Sequence, residues 1–285
     1  KGIQDSQLIT IDGKVMAVAF MANTQHLYYR EDVLKELGIP VPKTYEEVVA
    51  ASEKIRASGK MQHPYAAAYK AGWNLAEEFV NMFIGHGGEF FKAGTAEPNI
   101  NNAKGVATLN MLKKLASLSN PDYLTHDSEA IKVEWESGKV ALMTLWASRS
   151  GTLLDDEGDA KITAATKLTG PATVGGGNIP AATLWWDGFT LAKNRSDSDA
   201  EATFIALAHA ASNKKMVADA ADQAVWLVEG FVPGPKSIGV IEAVKMGAKP
   251  YPMLPQMGLM HGALGSEIVE FLQGKESAEQ ALKDV

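Results

Sequence analysis

The chain of 285 residues contains no cysteine, which excludes disulfides, thiolate metal sites and a cysteine nucleophile together. It also lacks a basic stripe. Lysine and arginine number 27 against 34 acidic residues, the formal charge is -7, and the cations are scattered. No surface is set up to neutralise phosphates, so nucleic acid is not expected as a partner. No apolar run approaches the roughly 20 residues that span a bilayer. The chain opens on Lys1-Gly2-Ile3-Gln4-Asp5, without the succession of a secretion signal, and reads as soluble.

The machinery of several enzyme classes is missing as well. Gly175-Gly176-Gly177 is followed by Asn178-Ile179-Pro180 instead of a lysine-bearing helix, so it reads as a loop and not a phosphate cradle. There is no Gly-x-Ser-x-Gly elbow. Histidines at 26, 63, 86, 126, 209 and 261 never recur at the i, i+4 spacing that sets two imidazoles on one helix face, and no metal or other cofactor is expected. Carboxylates cluster at Asp155-Asp156-Glu157, before Gly158 in a polar loop, and at Glu77-Glu78, where a helix begins and negative charge offsets its dipole. Both read as solvated, and no catalytic residue is expected.

What is present is a large core and a mixed pattern of elements. With 46% hydrophobic residues the chain exceeds the size at which one core suffices, so two lobes are expected. Leu8-Ile9-Thr10-Ile11, a turn at Asp12-Gly13, and Val15 to Phe20 read as a hairpin. Helices are expected over Glu31 to Leu37, from a Thr44/Glu47 capping box to about Ser58, over Asn74 to Ile84, Ala103 to Leu118 and Asp127 to Ser137. Val140 to Leu145 is almost wholly apolar and suits a strand buried on both faces. Trp185 to Ala192 reads as another strand. Ser198 is expected to cap an alanine-rich helix reaching Ser212, and helices recur over 241–246, 262–272 and 277–284, after a loop punctuated by Pro250, Pro252 and Pro255. Helix followed by buried strand is the α/β signature.

Six tryptophans are the conspicuous resource. Trp73, Trp146, Trp185, Trp186 and, less clearly, Trp226 sit beside element ends, from which ligand clefts of α/β proteins are built. Trp135, one turn after Ile131 within a helix, reads as core. A sugar suits such a lining because its apolar C–H face packs on an indole, whose burial contributes about 150–250 Å² of surface and one donor. Trp73-Asn74 project from a loop ahead of a helix, Trp146 ends the buried strand, and Arg149 lies within reach. Period two sends one of Trp185 and Trp186 to the cleft and the other to the core. Asp187 either accepts hydroxyl hydrogen bonds or holds a turn.

Gly13-Lys14-Val15 through Leu27-Tyr28-Tyr29-Arg30-Glu31-Asp32, then Pro42-Lys43-Thr44-Tyr45-Glu46-Glu47, Gly138 to Met143 leading to Trp146, Leu254-Pro255-Gln256-Met257 and Ala281-Leu282-Lys283-Asp284 follow one another in a family order. In that order the chain resembles the extracellular solute-binding proteins of bacterial ABC importers, in the carbohydrate-binding group that includes maltose-binding protein. The resemblance implies an α/β, two-lobe periplasmic-binding-protein-like fold (type II), each lobe a sheet flanked by helices. It places 1–22 with 188–240 in the N-terminal lobe and 25–186 with 245–285 in the C-terminal lobe, with hinge crossings near 20–24, 187–190 and 240–245. The family's opening units have no counterpart, so the first lobe is expected to be incomplete.

The resemblance further implies capture without chemistry of a small carbohydrate or polyol, for delivery to ABC importer permease subunits. The implied state is a monomer, periplasmic or extracellular and lipid-anchored where a further segment supplies the anchor. Asn23 and His261 fall at ligand-contacting positions of the group, and both differ from its maltose-binding member, which argues against malto-oligosaccharides. The expected ligand set is therefore Asn23, Trp73, Asn74, Trp146, Arg149, Trp185, Trp186, Asp187 and His261. Two alternatives stand beside it. A carbohydrate hydrolase needs two carboxyl groups roughly 5–10 Å apart across the cleft. A ferric-binding protein would use Tyr28-Tyr29, but adjacent strand residues face opposite ways.

Overall fold

The computed structural model describes residues 8–155 and 158–285; Asp156 and Glu157 of the acidic run lie outside the described residues. Strand β1, Leu8–Ile11, turns into β2, Lys14–Asn23, through Asp12 and Gly13 at φ 50 and 74. Two successive left-handed residues match the twist of a two-residue hairpin, and glycine takes one of them without strain. Beyond Thr24 the chain enters β3, Gln25–Arg30, which leads into α1, Glu31–Glu36. Helix α2, Tyr45–Ala57, opens on the expected capping box: Thr44 Oγ1 accepts from the Glu47 amide and Glu47 Oε2 accepts from the Thr44 amide.

A short β4, Tyr65–Ala66, precedes α3, Trp73–Gly85, and α4, Ala103–Ala116. Helix α5, Ser128–Glu136, leads to β5, Leu142–Trp146. Then come α6, Ser150–Leu153, α7, Ala160–Ala165, β6, Thr166–Thr169, and β7, Thr183–Phe189. Helix α8, Asp197–Ser212, is capped by Ser196, whose hydroxyl accepts from the Asp199 amide, and not by Ser198 as expected. The chain ends with α9, Lys214–Asp219, β8, Val225–Trp226, α10, Ile238–Lys245, β9, Lys249–Pro250, α11, Met257–Leu272, and α12, Ala278–Asp284.

The strands form two sheets. One runs β1-β2-β7-β9 with β8 also on β2, and the other runs β4-β5-β3-β6. The second sheet is covered on both faces, and side-chain alternation divides its residues. Leu27, Tyr65 and Leu142 enter the larger core with α2, α3, α4 and α11, while Tyr28, Ala66 and Met143 enter a smaller one with Trp135 and Ile131. Trp135 is fully buried and donates its indole hydrogen to Thr166 Oγ1 at 3.0 Å, in keeping with its reading as core. Tyr28 and Tyr29 thus look into different cores and cannot chelate one ion together.

Helix α10 lies on β3 and β6, with Gly239 packed against His26. A Cβ there would fall 2.0 Å from a ring carbon of His26, whose buried imidazole stacks on Tyr28 at 4.4 Å. Overfilled contacts of this kind typically cost about 1–3 kcal/mol. Gly239→Ala is therefore expected to lower stability by that amount in urea unfolding; an unchanged midpoint would show that α10 has room to shift.

Candidate functional site: an aromatic wall where the two sheets meet

One passage from the first sheet to the second is a single residue, Thr24, between β2 and β3. Beside it, Asn23 pairs in register with Trp185, and Gln25 pairs with Trp146. Two tryptophans from different sheets are thereby brought to one place, their ring centroids 6.0 Å apart and nearly perpendicular. Trp73, the first residue of α3, lies 6.1 Å from Trp146 and 5.8 Å from Trp185. His261 of α11 sits 5.0 Å from Trp73, and Tyr251 sits 4.4 Å from Trp185. The result is a continuous aromatic wall, of which Trp73 remains 50% exposed.

Backbone contact aligns its members. Gly72, at φ 97, donates its amide to the Gly265 carbonyl at 2.9 Å, and a Cβ on Gly265 would come within 2.4 Å of the Gly72 oxygen. Glycine at both positions lets the start of α3 touch α11. The Trp73 carbonyl can only accept, so His261 Nε2, 3.0 Å away, carries the proton. Nδ1 is then the acceptor for the Tyr251 hydroxyl at 2.8 Å. Burial holds His261 below its usual range, in keeping with the neutral tautomer.

Under the wall lies a polar layer. Trp185 Nε1 donates to Thr183 Oγ1 at 2.8 Å and, at 3.2 Å, reaches Glu77 Oε1. Thr183 Oγ1 is 2.8 Å from Asn81 Oδ1 and 2.9 Å from Glu77 Oε1. Asn81 donates to Gln25 at 3.1 Å, and Gln25 donates to Glu78 at 2.9 Å. Glu77 and Glu78 are 0% and 4% exposed, which corrects the reading of this pair as solvated. They lie in the first turns of α3, as expected, but that helix is enclosed from Leu75 to Gly85. Burial pushes both carboxyls up to about 8.

The other expected site residues are distributed less uniformly. Trp73 and Asn74 form the first turn of α3 and do not precede it; Asn74 is half-buried. The Asn23 amide binds Ser148, its oxygen accepting from the Ser148 amide at 3.2 Å and its nitrogen donating to the hydroxyl at 3.2 Å. Arg149 pairs with Glu129. Of the adjacent tryptophans, Trp185 joins the wall, whereas Trp186 turns away and lies against Gly188. Asp187 is exposed, and partial desolvation raises its carboxyl. Trp226 stands apart: it faces Phe20 at 6.2 Å and lines an apolar cavity of about 240 Å³ with Phe189, Val217 and Val228. A larger cavity of about 720 Å³, between the 87–96 loop and 249–256, contains none of the wall's rings. Sequence reasoning missed Tyr251, Thr183 and Glu77. Tyr251 stands between two prolines, which stiffen the backbone carrying it.

The sequence matches the model of the bacterial extracellular solute-binding protein family over residues 3–215. The chain belongs to this family. A probable ABC transporter-binding protein of Deinococcus radiodurans is 29% identical over 193 residues, which cover 65% of this chain and 44% of that protein. A multiple sugar-binding protein of Streptococcus mutans is 40% identical over 65 residues, covering 23% of this chain and 15% of the relative. The chain thus spans less than half the length of these curated relatives. Maltose-bound MalE3 of T. maritima superposes with a TM-score of 0.82 at 20% identity, covering 99% of this chain and 74% of that one. A ribitol-bound solute-binding protein of Agrobacterium radiobacter K84 gives 0.83 at 22%, covering 99% and 72%. These likenesses identify the two-lobe α/β fold of periplasmic binding proteins. Among the described residues no helix is long and apolar enough to cross a membrane, and no group of three or more His, Asp or Glu is placed to hold a metal.

The buried ionisable groups give stability a pH dependence. Glu77 and Glu78 have folded values near 8 against 4.5 when exposed, so their contribution is complete below 4.5 and lost as pH rises through 8. His26, pushed down to about 4 from 6.5 by burial, contributes stability above 6.5 that is lost as pH falls through 4. From 6.5 to about 8 only the glutamates of this set titrate. The melting temperature is expected to fall over that interval, and less steeply in Glu77→Gln/Glu78→Gln; an identical slope in both proteins would contradict the assignment.

Proposed function

We propose that the chain is the substrate-capturing part of an ABC importer, holding a sugar or polyol against the wall of Trp73, Trp146 and Trp185 without chemical change. The observation that carries this reading is the convergence of three indoles from α3, β5 and β7 on the point where the chain passes between sheets. Indole faces suit the C–H side of a sugar, and neighbouring hydrogen-bonding groups suit its hydroxyls. Trp73 contributes the exposed face, while Asn74, Asp187 and Tyr251 supply the polar edge, with Asn23 and Arg149 at the rim. His261 orients Trp73 from behind.

Family membership supports the reading, as does the multiple sugar-binding relative. The fold's neighbours hold maltose, ribitol and D-mannitol. In this account the lobes close about crossings that include residues 20–24, excluding water from the ligand. Permease subunits receive the ligand, and the setting is extracellular or periplasmic. Family relatives are binding proteins, which favours capture over hydrolysis.

A ligand that binds only the folded state raises the melting temperature with the logarithm of its concentration. Maltose, ribitol and D-mannitol are the first probes. At least one is expected to stabilise the protein, and Trp146→Ala is expected to abolish that shift; an undiminished shift would remove Trp146 from the site. Turnover of an aryl glycoside by the intact protein would replace capture with hydrolysis.

A further inference from the structure

Capture of a neutral sugar does not by itself call for two acids beneath the wall. Glu77 faces Thr183 and Trp185 of β7, Asn81 one turn along α3, and Tyr251 of the loop after β9, with His261 one hydrogen bond beyond. Glu78 faces Gln25 of β3 and the buried phenols of Tyr45, Tyr65 and Tyr69. Among the described residues no lysine or arginine pairs with either carboxyl, and Glu77 Oε2 is buried without a hydrogen-bond partner.

The Thr183 hydroxyl has one proton and two lone pairs. Asn81 uses its NH₂ on Gln25, which turns its oxygen to Thr183 as the acceptor of that proton. Trp185 Nε1–H takes one lone pair. The remaining 2.9 Å contact, between Thr183 Oγ1 and Glu77 Oε1, needs a proton of its own, and only a neutral carboxyl brings one. Each contact at the Thr183 hydroxyl then has its own proton.

We propose that Glu77 is a positioning residue for Trp185, its carboxyl proton completing the Thr183 junction that fixes the plane in which the indole meets a ligand. When that proton leaves for solvent, Glu77 Oε1 can only accept. The Thr183 hydroxyl then turns its single proton from Asn81 to the carboxylate, and the indole N–H, already 3.2 Å from the new charge, turns towards it as well. The consequence for affinity rests on the carbohydrate-binding reading above; the consequence for the indole does not.

Tryptophan fluorescence of the ligand-free protein tests this directly. The wild-type emission is expected to shift as pH rises through about 8, and the shift is expected to be lost in both Glu77→Gln and Trp185→Phe. Should Glu77→Gln fail to fold, Glu78→Gln decides together with Trp185→Phe, the transition being expected to persist in the first and to vanish in the second; its loss in Glu78→Gln would overturn the assignment to Glu77. A flat wild-type trace, or a transition that survives in Glu77→Gln or Trp185→Phe, overturns the assignment. Where maltose or ribitol binds, affinity is expected to weaken above the transition in wild type and to remain level in Glu77→Gln. A protein that bound neither would count against the proposed function while leaving the fluorescence test in force.

Discussion

The hydroxyl of Thr183 is where the demands of this structure coincide. It stands at the first residue of β7, takes the Trp185 indole hydrogen, and touches both Glu77 and Asn81 of α3. The Thr183 backbone carbonyl accepts at 2.8 Å from Oγ1 of Thr24, the residue that passes the chain from one sheet to the other. One buried residue therefore ties together both sheets, the helix that carries Trp73 and the indole at the centre of the wall. An unmet hydrogen bond at such a place costs about 1–3 kcal/mol, so the groups around it are held to one arrangement.

From that junction outward, each ring is fixed by a different means. Trp185 is held by hydrogen bonds, Trp146 by its place at the end of a covered strand, and Trp73 by the contact of Gly72 with Gly265. His261 and Tyr251 form a second relay from the Trp73 carbonyl to the edge of Trp185. Rigid aromatic surfaces lose little freedom when a ligand arrives, which suits the stacking proposed for this wall. The apolar pocket under Trp226 lies against the first sheet and shares no ring with the wall.

Much of the fold was legible because its signals are local. The Asp12-Gly13 turn, the Thr44/Glu47 box and the apolar run into Trp146 each carry their own geometry. The wrong cap on α8 shows where local signals tie: Ser196 and Ser198 both stand three residues before an acid, and only the folded helix chooses the first. Strand β6 and helix α7 went unread because Thr166–Thr169 is short, polar and an edge strand, with no alternation to betray it. The tryptophans of the site were visible through the ends of elements, whereas Tyr251, in a loop between two prolines, was not. The acids beneath them were not, because charge suggested solvent. Leu75, Ala76, Phe79 and Val80 flank Glu77 and Glu78 along a helix buried from Leu75 to Gly85, and those apolar neighbours were the better guide.

The central claim is that a sugar lies with its C–H face on these indoles. Saturation-transfer NMR on the intact protein addresses it at the level of atoms. Irradiating the indole protons in the presence of maltose, ribitol or D-mannitol should pass saturation to the carbon-bound protons of one ligand, and Trp73→Phe should weaken that transfer selectively. Absence of transfer to any carbohydrate or polyol, or transfer unaltered by loss of Trp73 and Trp146 together, would contradict the account.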